Sequence, residues 1–263
     1  MNFDKFTESS VFKNIIEKES LSINIAFVAF YGSRNYGLET VKSDYDFFMV
    51  YYPAFENFYT QKFPRHSETT EAYDYFVMPF NEYFRHAMDG NIRFIEPLFC
   101  DTVYPIKNCS NPEFIDKIKK FISMNHGRNF HAITGMIRDK RNNIEKERYT
   151  SNTLKYKEVY GYDIKEAINS LRLACLLENY IKTGNFDFVV KGNHIYDNLL
   201  SEISLINNKA MSKDACLDVI DNKLKELRVS SDFITKNDES ELNELRQEIE
   251  EDMMNMCKTA MVF

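Results

Sequence analysis

The chain has 263 residues, of which 44% are hydrophobic and 28% charged, with a net charge of −7. That composition supplies enough apolar residues for a buried core, which excludes wholesale disorder, and the length suits one large domain or two small ones. No run of about eighteen apolar residues occurs, so no membrane span is expected.

The first residues, MNFDKFTESSVFKNIIEKE, carry acids and lack the apolar stretch of a secretory signal. The cysteines at 100, 109, 175, 216 and 257 are scattered with no CxxC pair. Both features predict thiols in a reducing, cytoplasmic setting rather than disulfides or a zinc site.

In chain order, Ser9 or Ser10 is a candidate cap for a first helix with Val11, Phe12, Ile15 and Ile16 on its apolar stripe. The run INIAFVAFY (23–31) has strand length and no polar alternation, as expected of a strand buried on both faces. Residues 44–52 read as the next strand, 53–70 as an excursion without clear period, and 74–78 as a third strand. Pro79 then opens a helix carrying Phe80, Tyr83, Phe84 and Ala87.

Past residue 107 the pattern turns helical. Asn111-Pro112 suits a helix start, and DIKEAINSLRLACLLENYIKTG repeats Ile164, Ile168, Leu171, Ala174 and Leu177 at helical spacing before Gly184. The expectation is an α+β chain. A mixed sheet of about four or five strands with flanking helices occupies 1–107, and a mainly helical region occupies 108–263.

Charge is uneven. Residues 117–157 hold eleven Lys/Arg against three acids, whereas 214–252 hold thirteen acids against five bases. A basic middle of this kind marks either a polyanion-facing surface or solvated helix faces.

The chemistry concentrates near the N-terminus. Gly32-Ser33 follows a buried strand, where glycine permits a tight turn and a serine hydroxyl can meet a phosphate; it is also an ordinary turn pair. Asp44 and Asp46 are two apart at the head of an apolar strand, so their side chains share one face. Like charges that close repel unless a cation lies between them, and a hard, oxygen-seeking ion such as magnesium suits them. The plainer alternative is aspartates capping backbone N–H groups. Asp74 at the next strand is a third carboxylate, and spacing alone does not choose it over Glu71. The five histidines make no metal-ligand spacing, and no GxxxxGK, nucleophile elbow or Cys-His signature occurs.

The ordered set Gly32-Ser33, Ser43-Asp44-x-Asp46 and Asp74 resembles the polymerase-β-type nucleotidyltransferase superfamily. Within it, GSRNYGLETVKSDYDF is similar to the branch of RNA-repair-pathway nucleotidyltransferases, whose hallmark is Gly-Ser-x-x-Tyr-Gly-Leu, a short spacer and Ser-Asp-x-Asp. YDYFVMPFNEYFRHAMDGNIRFIEPLF and the Lys165-bearing helix are similar to later blocks, so the likeness spans roughly residues 25–185.

The resemblance implies a nucleotidyltransferase-type sheet and a role for each matching position. Asp44 and Asp46 would bridge two Mg2+ ions, and Asp74 would hold the ion on the acceptor side. Gly32 and Ser33 would bind the triphosphate of an NTP such as ATP, and Lys165, with Arg172 as a second candidate, would lie near the phosphates. The acceptor it implies is an RNA end, tRNA among them. Other branches act on protein or small-molecule acceptors, and a non-catalytic nucleotide-binding protein is the alternative of a different class. The chain departs from many relatives by carrying Phe47-Phe48-Met49 where they have a basic residue and a glycine, which bears on substrate choice.

Overall fold

The computed structural model describes Glu8 and residues 10–18, 25–40, 43–63, 65–69, 73–100, 103–105, 112–227, 231–234 and 239–261. The chain divides into two compact units. Unit one comprises residues 1–89, 93–121 and 239–263, and unit two comprises 90–92 and 122–238. The units therefore interleave along the chain, where the sequence pattern suggested one boundary between 107 and 108.

Unit one is built on a five-stranded sheet of order β3-β4-β2-β1-β5. The strands are β1 (Ile25–Tyr31), β2 (Tyr45–Tyr51), β3 (His66–Thr69), β4 (Tyr73–Pro79) and β5 (Val103–Pro105). The sheet is mixed, because β2 runs parallel to β4 while the other pairings are antiparallel. A parallel neighbour requires a crossover. The stretch expected to be an irregular excursion supplies it, folding as helix α3 (Phe55–Thr60) and edge strand β3. Neither is legible by period, since each is under two turns or one hairpin arm long.

Strand alternation assigns the two faces. Val28, Phe47, Met49, Tyr51, Tyr75 and Val77 cluster with Phe12 and Ile15 of α1 (Ser10–Lys18). On the other face, Phe27 and Phe48 meet Tyr83 of α4 (Phe80–Met88) edge-on at 5.0 and 5.6 Å between ring centroids. Phe48 also stacks on Phe94 of α5 (Ile92–Phe99) at 4.8 Å. Both faces are aromatic-rich cores, which explains why β1 and β2 read as continuous apolar runs.

Between β1 and β2 lies the short helix α2 (Ser33–Tyr36). Helix α6 (Pro112–Met124) places Phe114 against Phe80 and Phe84. Of the candidate caps, Ser9 and Asn111 lie outside the described residues, and Ser10 is the first residue of α1.

Unit two is helical. It contains α7 (His126–Glu145), α8 (Lys155–Tyr160), α9 (Ile164–Thr183), a 3-10 turn (His194–Tyr196), α10 (Asp197–Asn207), α11 (Lys213–Leu227) and α12 (Ser231–Ile234). Helix α9 packs against α7, α10 and α11. Its ends are fixed by local chemistry. The Asp163 side chain accepts from the Lys165 and Glu166 N–H groups, and Gly184 adopts a left-handed conformation (φ 74°) whose N–H donates to Tyr180 O. The last helix, α13 (Glu239–Met261), returns to unit one.

The expectation of an α+β chain with a mixed sheet and a helical C-terminal region holds.

Candidate metal and nucleotide site

The sheet register brings the acids together. Asp46 pairs with Asp74 across the parallel β2–β4 ladder, and Tyr31 pairs with Asp46 across β1–β2. In-register neighbours on adjacent strands lie roughly 4.8 Å apart and point the same way. Asp44, two residues before Asp46, adds a third carboxylate at the same end. One oxygen from each of Asp44, Asp46 and Asp74 lies within 4.8 Å of the others, and all three residues are half-buried. Glu71, the competing third acid, falls outside the described residues.

The residues before β2 explain how the first acid is held. The Arg34 guanidinium donates to Ser43 O at 2.5 Å and to Asp44 O at 3.0 Å. It also lies over the Tyr45 ring, 3.8 Å from the centroid. Asn35 donates to Phe30 O at 2.8 Å, which anchors α2 to the end of β1. Ser43 closes a local turn with Thr40 through reciprocal backbone and hydroxyl contacts. Arg34 thus ties α2 to the acid-bearing loop, and Asn35 ties α2 to the end of β1.

Gly32 is required on two counts. Its φ of 89° with ψ of −160° is a conformation open only to glycine. A Cβ added there would also collide with Asp46 Oδ2. The backbone therefore approaches the carboxylate as no other residue allows.

The Gly32 N–H donates to Glu96 Oε1 at 3.1 Å, and Glu96 is 1% exposed. The resemblance quoted Glu96 within a block but gave it no role. A lone acid in the apolar helix IRFIEPLF was the available signal, by the same logic that singled out Asp44 and Asp46.

Arg93 is a second residue that sequence reasoning passed over. Its guanidinium donates to the Tyr31 hydroxyl and stacks 4.5 Å from that ring's centroid. Burial pushes the Tyr31 pKa up, the Arg93 charge opposes this, and the nearby Asp46 and Asp74 charges reinforce it.

The donor set tests well against magnesium. It offers carboxylate oxygens only, the ligand type a hard cation prefers, with no soft sulfur or imidazole among them. Three carboxylates this close also repel one another, a cost that a divalent cation removes.

Ser33 is half-buried at the start of α2 in unit one. Lys165 is exposed in the first turn of α9, and Arg172 is 5% exposed within the same helix, both in unit two.

Within the basic stretch 117–157, Lys117, Lys120, Lys140, Arg141 and Lys157 are committed to ion pairs. In unit one, Lys117 meets Glu248 and Asp252, and Lys120 meets Glu241. In unit two, Lys140 meets Glu166, and Arg141 meets both Glu145 and Asp221. Lys117, Lys120 and Arg141 thus pair with acids of the 214–252 block, namely Glu248, Asp252, Glu241 and Asp221. Among the described residues no helix is long and apolar enough to cross a membrane.

No family model and no curated protein matches the chain. Among solved structures it is similar to a nucleotidyltransferase-like protein from Exiguobacterium sibiricum 255-15, with 9% identity and a TM-score of 0.31. That match covers 83% of this chain and 74% of the other. A TM-score of that size does not establish a shared fold, and the reading of the site stands on its own side chains.

Proposed function

We propose that the protein is a magnesium-dependent nucleotidyltransferase that moves a nucleoside monophosphate from an NTP to a hydroxyl acceptor. The observation that carries the reading is the convergence of Asp44, Asp46 and Asp74 on adjacent strands beside the Gly32 turn. In the reaction the acceptor oxygen bonds to the α-phosphorus, the bond to pyrophosphate breaks, and the acceptor proton is lost. Asp44 and Asp46 would hold both ions and Asp74 the one on the acceptor side. Bound there, magnesium supplies charge neutralisation and in-line alignment of the reacting oxygens.

The chain's own residues contribute positioning. Arg34 fixes the loop that presents Asp44, and Glu96 fixes the Gly32 turn. Because the Gly32 N–H is engaged by Glu96, the Ser33 hydroxyl is the group of that turn we assign to a phosphate oxygen, and Gly32 provides close approach. Lys165 and Arg172 are proposed phosphate contacts by resemblance.

An RNA end is the proposed acceptor on the same basis. The ion pairs of Lys117, Lys120, Lys140 and Arg141 remove part of its electrostatic support, and a protein or small-molecule acceptor is the second reading.

The test incubates the pure protein with each labelled NTP, magnesium and either total RNA or a protein extract. Metal-dependent pyrophosphate release with label transferred to one pool supports the reading and identifies the acceptor class. Absence of any metal-dependent turnover with all four NTPs would return the protein to a binding role.

A further inference from the structure

Away from the acids, unit one has a cavity of about 510 Å³ between α3, α4 and α13. Its walls include Phe55, Phe58, Met88, Met253 and Met254. Several of these apolar side chains face solvent. Phe55 is 66% exposed, its stacking partner Tyr59 82%, and Met254 50%. A contiguous apolar face of this kind marks an interaction surface rather than a solvated one.

The charges on α13 divide by face. Glu241, Glu248 and Asp252 are committed to Lys117 and Lys120 of α6. Glu250 and Lys258 border the cavity instead, and among the described residues neither makes an ion pair. They sit four residues before and four residues after Met254, so Glu250, Met254 and Lys258 share one helical stripe.

That stripe is self-complementary in one orientation. When two copies of α13 lie antiparallel about a two-fold axis through Met254, each Glu250 faces the second copy's Lys258. A parallel arrangement would set Glu250 against Glu250 and Lys258 against Lys258. We propose that this face is a homodimer interface, with the α13 helices antiparallel across the axis, Phe55 and Tyr59 widening the apolar contact, and two symmetric Glu250–Lys258 pairs fixing the register.

The experiment is sedimentation equilibrium on the full chain from low to high micromolar concentration, with circular dichroism confirming that each variant is folded. The wild type forms a dimer, and Met254→Lys abolishes it. Glu250→Lys and Lys258→Glu each weaken dimerisation by about tenfold, because two attractive pairs become two repulsive ones. An equimolar mixture of the two single variants recovers wild-type affinity, as does the double variant, since both restore opposite charges across the axis. A wild type that stays monomeric throughout, its face then serving a small apolar ligand or a different protein, would overturn the proposal. So would a mixture that associates no more tightly than either variant alone.

Discussion

At the scale of single residues, Gly32 couples backbone geometry to the chemistry of the site. Its φ of 89° excludes side chains, and a Cβ would displace Asp46 Oδ2. Gly32→Ala is therefore expected to cost about 1–3 kcal/mol in stability through backbone strain. Activity should fall further, because relief of the collision moves a proposed metal ligand. Urea denaturation alongside NTP turnover checks this, and a variant that loses stability but keeps turnover would show that the Asp46 position tolerates the shift. The requirement for glycine was legible in the sequence as a turn after a buried strand. Its contact with Glu96 was not, because the two residues are separated by 64 positions and no local pattern links them. The same holds for Arg34, whose role depends on a loop that only folding brings within reach.

Among elements, long helices and apolar strands were readable because their periodicity extends over many residues. Helix α9, with its Asp163 cap and Gly184 terminus, announces both ends. Helix α3 and strand β3 did not, since six and four residues carry too little period to distinguish from a loop. Charge composition likewise gave the basic and acidic blocks but not their mutual pairing. That pairing sets what neutralising Lys140 and Arg141 should do. Arg141 donates two 3.0 Å bonds to Asp221 on α11 and meets Glu145 at 2.6 Å, while Lys140 meets Glu166 on α9 at 3.1 Å. Removing both side chains should lower the stability of unit two by about 1–3 kcal/mol. The salt dependence of RNA binding, measured by titration across ionic strength, should stay the same. A flattened salt slope would show that these residues are available to a polyanion after all.

For the molecule as a whole, buried ionisable groups set a limit at alkaline pH. Burial pushes Tyr51 in unit one and Tyr162 in unit two up to about 12, from an ordinary 10.0. The thiols of Cys257 and Cys216 rise to about 11 and about 12, from 9.0. Each group has its folded pKa raised, so the unfolded chain loses these protons first. The stability they contribute is intact below about pH 9 and is lost as pH climbs from there toward 12. Urea midpoints at about pH 8, 9.5 and 11 should decline steadily for the transitions of both units. A midpoint constant across that range would mean the four groups are not held neutral by the fold.

The central claim is that the three acids divide their work on bound ions. Asp46 is proposed to serve the ion that accompanies the NTP, and Asp74 only the acceptor-side ion. Its most direct test is calorimetric NTP affinity in the presence of magnesium, paired with single-turnover transfer, for wild type, Asp46→Asn and Asp74→Asn. The account predicts that Asp46→Asn weakens nucleotide binding and turnover together. Asp74→Asn should keep nearly the wild-type nucleotide affinity while transfer collapses, because the interaction lost is one realised in the transition state. Equal loss of affinity in the two variants, or full transfer by Asp74→Asn, would contradict it.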